Sequence, residues 1–188
     1  MNLKPFWICA LLTAPLFAGP PLICHRIEIG DAASLPWTGA GDHWDGSVPG
    51  YNVESRLMAD TLELLGAATP VPVRMETMRR ASIYAARHAG LAAKIAARLR
   101  ARADASGSAL DWFDAGYWIE SVRQASFLYR YGMLSPQDKE SWQIRTGLAG
   151  LDGYPLVQKA MQLGGAPEMD RALKLIEQYR EADRRSHR

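Results

Sequence analysis

The densest run of chemistry-bearing residues in this chain is Asp111-Trp112-Phe113-Asp114-Ala115-Gly116-Tyr117-Trp118, followed by Glu120. At helical spacing Asp111 and Asp114 fall on neighbouring turns, as do Asp114 and Tyr117. A carboxylate enclosed by aromatic rings loses hydration, its pKa rises, and it becomes suited to general acid work. Rings beside carboxylates also suit sugars, whose apolar faces would stack on Trp112, Tyr117 and Trp118. Asp111, Asp114 and Glu120 are thus the candidate acids of a small exported hydrolase or carbohydrate-binding protein. That reading needs them exposed in a pocket. Burial of Asp114 against an arginine, with no adjoining cavity, would defeat it. The plainer reading is favoured: Asp111 opens a helix, Asp114 pairs with a basic neighbour, the rings are core, and Gly116 marks a close helix approach.

A second cluster, Asp42, His43 and Asp45, offers oxygen and nitrogen ligands of the kind a divalent ion takes. A calcium loop alternates its ligands over about twelve residues, and this stretch is too short. It also lacks the paired-histidine helical spacing of zinc hydrolases, so it is read as a Gly- and Asp-rich turn and no metal is expected. His25, Glu28 and Asp31 gather near Cys24, but a cysteine and histidine adjacent in sequence do not form a catalytic dyad. Pro21 stands where a covalent haem motif needs its first cysteine. With no nucleophile elbow, Walker loop, dinucleotide turn or paired cysteine ligands, no cofactor is expected.

Charge points to a different kind of chemistry. The 22 basic and 20 acidic side chains leave a net charge of +2, which is no polyanion-binding signature, so a nucleic-acid partner is not expected. The distribution is uneven. Residues 24–69 hold seven acids against two bases, whereas residues 72–103 hold eight bases against Glu76 alone. Lys94, Arg98 and Arg102 recur every four residues opposite Leu91, Ile95 and Leu99, which predicts an amphipathic helix with a basic outer face. Such a face suits a protein or peptide partner, and the same contrast also suits pairing between neighbouring helices. Met58, Met75 and Met78 are read as gap-filling core.

The elements that must position these groups are mainly helical. Ahead of them, Lys4 precedes a 12-residue apolar run from Phe6 to Phe17, the length of a secretory signal and short of a membrane span. Cleavage after Ala18 is expected, leaving 170 residues exported to the periplasm or extracellular space. Such a length suffices to bury roughly 70% of the unfolded surface without a staple. Membrane contact is expected only through an uncleaved signal or a lipidated Cys24, although Pro21, Leu22 and Ile23 make a poor lipobox. Glycines and prolines then predict an irregular arm over 19–50, with Leu35, Trp37 and Trp44 packing it onto the rest.

From 51 to 188 a helical domain is predicted. Asn52 caps a first helix ending near Gly66, Pro70 and Pro72 precede a second, and Gly90 precedes a third. A long helix is expected from Leu110 to Tyr131, then a short one opened by Ser135 and Pro136. A final hairpin joins Tyr154–Leu163 to a helix starting at Pro167. This hairpin, with small Ala160, Gly164 and Ala172 near its crossing, resembles those of tetratricopeptide and related repeats, without their fixed period or tryptophan–glycine–tyrosine signature. The expected architecture is antiparallel helical hairpins, as a bundle or short α-solenoid. The expected function is a non-catalytic interaction module of the cell envelope or extracellular space.

Overall fold

The computed structural model describes residues 19–38, 46–125 and 146–186. Among these the chain is mainly α, with seven helices: α1 (Pro21–Cys24), α2 (Val53–Leu64), α3 (Val71–Ala85), α4 (Leu91–Ser106), α5 (Ala109–Ala125), α6 (Tyr154–Gln162) and α7 (Pro167–Ser186). The only bridge among them joins Trp37 to Ser47 in antiparallel sense. The Leu110–Tyr131 expectation is met over the described part, while its last turns, the Ser135–Trp142 helix, Trp44 and the apolar run 6–17 lie outside the described residues.

Local signals explain the boundaries. Asn52 Oδ1 accepts the Ser55 N–H at 3.2 Å and caps α2. Proline in the first turn of α3 removes a donor that would have been unpaired there anyway. Gly107 ends α4 in the left-handed region (φ 65°) and donates to Ala103 O at 2.9 Å, a turn that only glycine enters at no steric cost.

α3 is the axis of the bundle. It packs against α5, α2, α4 and α7, and every residue but Pro72 is buried. A helix enclosed on all sides is normally apolar. This one carries Arg74, Glu76, Arg79 and Arg80, so each buried charge must be paired inside the fold. α5 is the second pillar, set between α3 and α4 on one side and α6 on the other.

The described parts of the arm, 19–38 and 46–50, are tied to the helices more closely than their glycine-rich sequence predicts. α1 forms a single turn, and its Leu22 N–H donates to Gln124 Oε1 on α5 at 2.8 Å. Leu22, Ile23 and Leu35 belong to the same buried cluster as the helices. Arg80 Nη1 donates to Ser34 Oγ at 2.6 Å and Leu35 O at 3.2 Å, and the Arg79 guanidinium lies 5.0 Å from the half-buried Trp37 ring. The arm is therefore stitched to α3 by the buried arginines as well as by apolar burial, which is worth about 1.5–3 kcal/mol per large side chain.

Candidate functional site

The Asp111–Glu120 stretch forms most of α5, and the fold divides it. Asp111 and Asp114 face α3 and α4, whereas Glu120 faces α6 and α7. Asp114 is fully enclosed. Its Oδ2 accepts from both Arg74 Nη1 of α3 and Arg102 Nη2 of α4. The same two arginines also hold the α2–α3 connection. Arg74 donates to Gly66 O and, at 2.9 Å, to Thr69 O, and Arg102 donates to Leu65 O at 3.1 Å. Asp114 Oδ1 has no hydrogen-bond partner among the described residues. Burial pushes the Asp114 carboxyl up to about 7 against the pull of Arg74 and Arg102, and the neighbouring Asp111 charge adds to the rise.

Asp111 opens α5 as expected. Ser108 Oγ accepts the Asp111 N–H at 3.2 Å and donates to Asp111 Oδ2 at 2.9 Å, while Arg102 Nε lies 2.7 Å from Asp111 Oδ1. Burial raises this carboxyl, but the bonds from Ser106 and Ser108 and the Arg102 charge outweigh it and hold the group below its ordinary value. Glu120, also buried, accepts the Gly153 N–H at 3.0 Å and lies 3.5 Å from both Arg123 and Arg180. Burial pushes it up against those bases.

The hydrolase and sugar-binding expectation needs these residues exposed in a pocket, and the fold places them otherwise. Burial raises the Asp114 carboxyl as a general acid would need, but the group has no opening to solvent and its Oδ2 is taken by two arginines. Glu120 is an internal acceptor on the other side of the helix. The rings are not a stacking platform. Trp118 is enclosed and donates its indole N–H to Ala92 O at 3.0 Å, Tyr117 is enclosed and stacks on Phe113 at 5.2 Å, and Trp112 is buried beneath Lys159 Nζ, 3.4 Å from its ring centroid. Gly116 marks the close approach read from the sequence. A Cβ there would lie 2.6 Å from Gly153 O and 2.7 Å from Val157 Cγ2 of α6.

The basic stripe is corrected in one member. Lys94 and Arg98 are exposed on the outer face of α4 and make no ion pair among the described residues. Arg102 turns inward to Asp111 and Asp114 and belongs to the core network. Arg100 pairs with Asp104 at 3.0 Å beside this face.

Four charged residues that sequence reasoning did not place in a site, Arg74, Glu76, Arg79 and Arg80, turn out to organise the centre. The available signal was Glu76 standing alone among eight bases, with arginines three and four residues on. No group of three or more His, Cys, Asp or Glu among the described residues could hold a metal, and Asp42, His43 and Asp45 lie outside them. Cys24 is half-buried and unbridged, its thiol pushed up by burial against the Arg79 charge. No described helix is long and apolar enough to cross a membrane. Comparisons with protein-family models, curated proteins and solved structures give no match for this chain.

Proposed function

We propose that this chain is a non-catalytic interaction module, exported to the cell envelope or extracellular space, that contacts an acidic segment of a protein or peptide partner through the outer face of α4. The observation that carries the reading is how the basic segment divides its charges. Arg74, Arg79, Arg80 and Arg102 are spent on internal carboxylates and carbonyls. Lys94 and Arg98 stay in solvent, one turn apart, on a helix whose other side is core. Exposed like charges without internal partners attract an oppositely charged segment and speed its encounter. The export part rests on the apolar run 6–17.

The test is charge reversal confined to that face. Lys94→Glu/Arg98→Glu in the full chain should weaken binding of a fluorescein-labelled decaglutamate peptide more than tenfold at low salt, with unchanged far-UV helicity. Undiminished binding would rule the face out. Arg102 is left intact, since its reversal would strike the core network.

A further inference from the structure

Two buried charge networks tie different parts of the molecule together. Asp114, Arg74 and Arg102 join α5 to α3 and α4, with Arg102 also holding Leu65 O, so this network links helices to helices. The other network is assembled by α3 alone. Arg79 meets Glu76 through Nε at 2.7 Å and Nη2 at 2.9 Å, and Arg80 meets it through Nε at 2.7 Å. The shared carboxylate therefore orients both guanidiniums without help from the arm.

The remaining donors and acceptors of that cluster face the arm. Arg79 Nη1 donates to Ile23 O at 3.1 Å, Arg80 Nη1 donates to Leu35 O at 3.2 Å, and Glu76 Oε2 accepts the Ile27 N–H at 3.1 Å. Beside them Gln124 Oε1 of α5 accepts the Leu22 N–H at 2.8 Å, and the Tyr84 hydroxyl donates to Pro36 O at 2.6 Å. Each of these bonds joins a helix side chain to a backbone group of the arm. Two guanidiniums against one carboxylate leave a positive excess, and arm carbonyls sit where it is felt. The deepest side-chain anchors of the arm are Leu22, Ile23 and Leu35, whereas no residue from Cys24 to Ser34 is buried. A segment laid on a surface, read by its backbone and fixed by a few apolar anchors, has the anatomy of a bound peptide.

Lifting this segment costs less than lifting an apolar layer. It uncovers Glu76, Arg79 and Arg80, which hydrate readily, and apolar surface mainly at the anchors. The Asp114 network and the packing of α5 on α4 and α6 use none of the arm. We propose that the face of α3 and α5 beneath residues 20–36 is a groove for a peptide segment read through its backbone, and that the arm is its intramolecular ligand, which fills the groove and can vacate it. What is seated there sets the ligand chemistry: two adjacent aliphatic side chains, and a third twelve residues after the second. A partner's segment of this kind enters only when the arm lifts. The groove is separate from the α4 face and stands without that reading.

Native-state hydrogen exchange of the full chain tests the release. The Leu22 and Ile27 amides should exchange through one shared opening, about tenfold or more faster than the Phe113 and Trp118 amides of α5, because the arm lifts while the helices stay folded. Equal protection of arm and α5 would overturn the proposal, since the arm would then leave only on global unfolding. The groove is tested with a fluorescein-labelled peptide of residues 19–38 under reducing conditions. Ile23→Asp/Leu35→Asp in the full chain spoils two anchors of the resident arm and leaves the groove residues untouched. This variant should keep its far-UV helicity and bind the peptide one to one, about tenfold or more tighter than the parent, in which the tethered arm competes. N-methylation of the peptide at Ile27 should weaken it about tenfold, the factor that one hydrogen bond is worth. No saturable binding, equal affinity for variant and parent, or undiminished binding of the N-methylated peptide would each overturn the proposal. Loss of helicity in the variant would count against it as well, because the helices would then need the arm to fold. The exchange comparison needs no variant at all.

Discussion

Two carboxylates at the centre of this bundle are each clamped by two arginines, yet the clamps differ. Glu76 uses both oxygens: Oε1 accepts from Arg79 Nη2 at 2.9 Å and Arg80 Nε at 2.7 Å, and Oε2 from Arg79 Nε at 2.7 Å and the Ile27 N–H at 3.1 Å. Asp114 presents a single oxygen to Arg74 and Arg102, and the other has no partner among the described residues. Burial opposes ionisation in both. At Glu76 the four bonds to the charged form prevail and the carboxyl is lowered, whereas at Asp114 burial prevails and Asp111 adds a like charge. The same side-chain types therefore give a firmly ionised structural anchor in one place and a carboxyl near its titration point in the other. What separates them is how many donors reach the charged form.

The anchor should be the costlier one to break. Glu76→Gln strands Arg79 and Arg80 in the core, and an uncompensated buried charge costs about 3–5 kcal/mol. Urea unfolding should show that loss. Hydrogen exchange should quicken at Ile27, whose N–H loses a charged acceptor. An Ile27 amide as protected in the variant as in the parent would mean that the arm is held by apolar burial alone.

The helices were legible because their signals are local. Asn52, the prolines of α3, the Leu91–Ile95–Leu99 spacing and the closing hairpin each act within a few residues. Gly116 was legible too, since a glycine inside an aromatic helix has few purposes besides close approach. The partners of the charges were not. Arg74 meets Asp114 across 40 positions, and nothing near either one indicates the other. Arg102 misled for a geometric reason. Each four-residue step overshoots a helical turn by about 40°, so by its second step a stripe begun at Lys94 has rotated about 80°, toward α5. α1 was read as irregular because one turn is too short to show a period. The groove beneath the arm draws on both α3 and α5, and no window of sequence contains it.

The second prediction sets the two clamps against each other by pH. A lowered carboxyl stabilises the fold above its unfolded pKa, and that contribution is lost as pH falls through the folded value. The penalty of Glu76→Gln should thus grow as pH rises to the ordinary glutamate value of 4.5. A raised carboxyl does the reverse. Its contribution is full below the unfolded pKa of 3.8 and is lost as pH rises through about 7. The penalty of Asp114→Asn, which resembles the protonated acid, should therefore shrink between pH 4 and pH 8, on the order of a few kcal/mol at about 1.4 kcal/mol per pKa unit. Urea midpoints of parent and variants across this range give the two slopes. Slopes of the same sign would erase the distinction between the clamps.

The smallest effect tests why Asp114 differs. Asp111 shares Arg102 with it and raises its carboxyl by like charge. Asp111→Asn keeps one oxygen to accept the Ser108 hydroxyl and removes the charge and the oxygen facing Arg102, so the stability cost at pH 7 should be modest, about 0.5–1.5 kcal/mol for one weakened bond and ion pair. In that background Asp114 is the carboxylate left to Arg102, which also keeps Leu65 O. The window over which Asp114→Asn loses its penalty should move to lower pH and narrow, bringing Asp114 toward the behaviour of Glu76. If the window stays in place, the repulsion from Asp111 is negligible, and the unpaired Oδ1 in its enclosed setting accounts by itself for the difference between the two carboxylates.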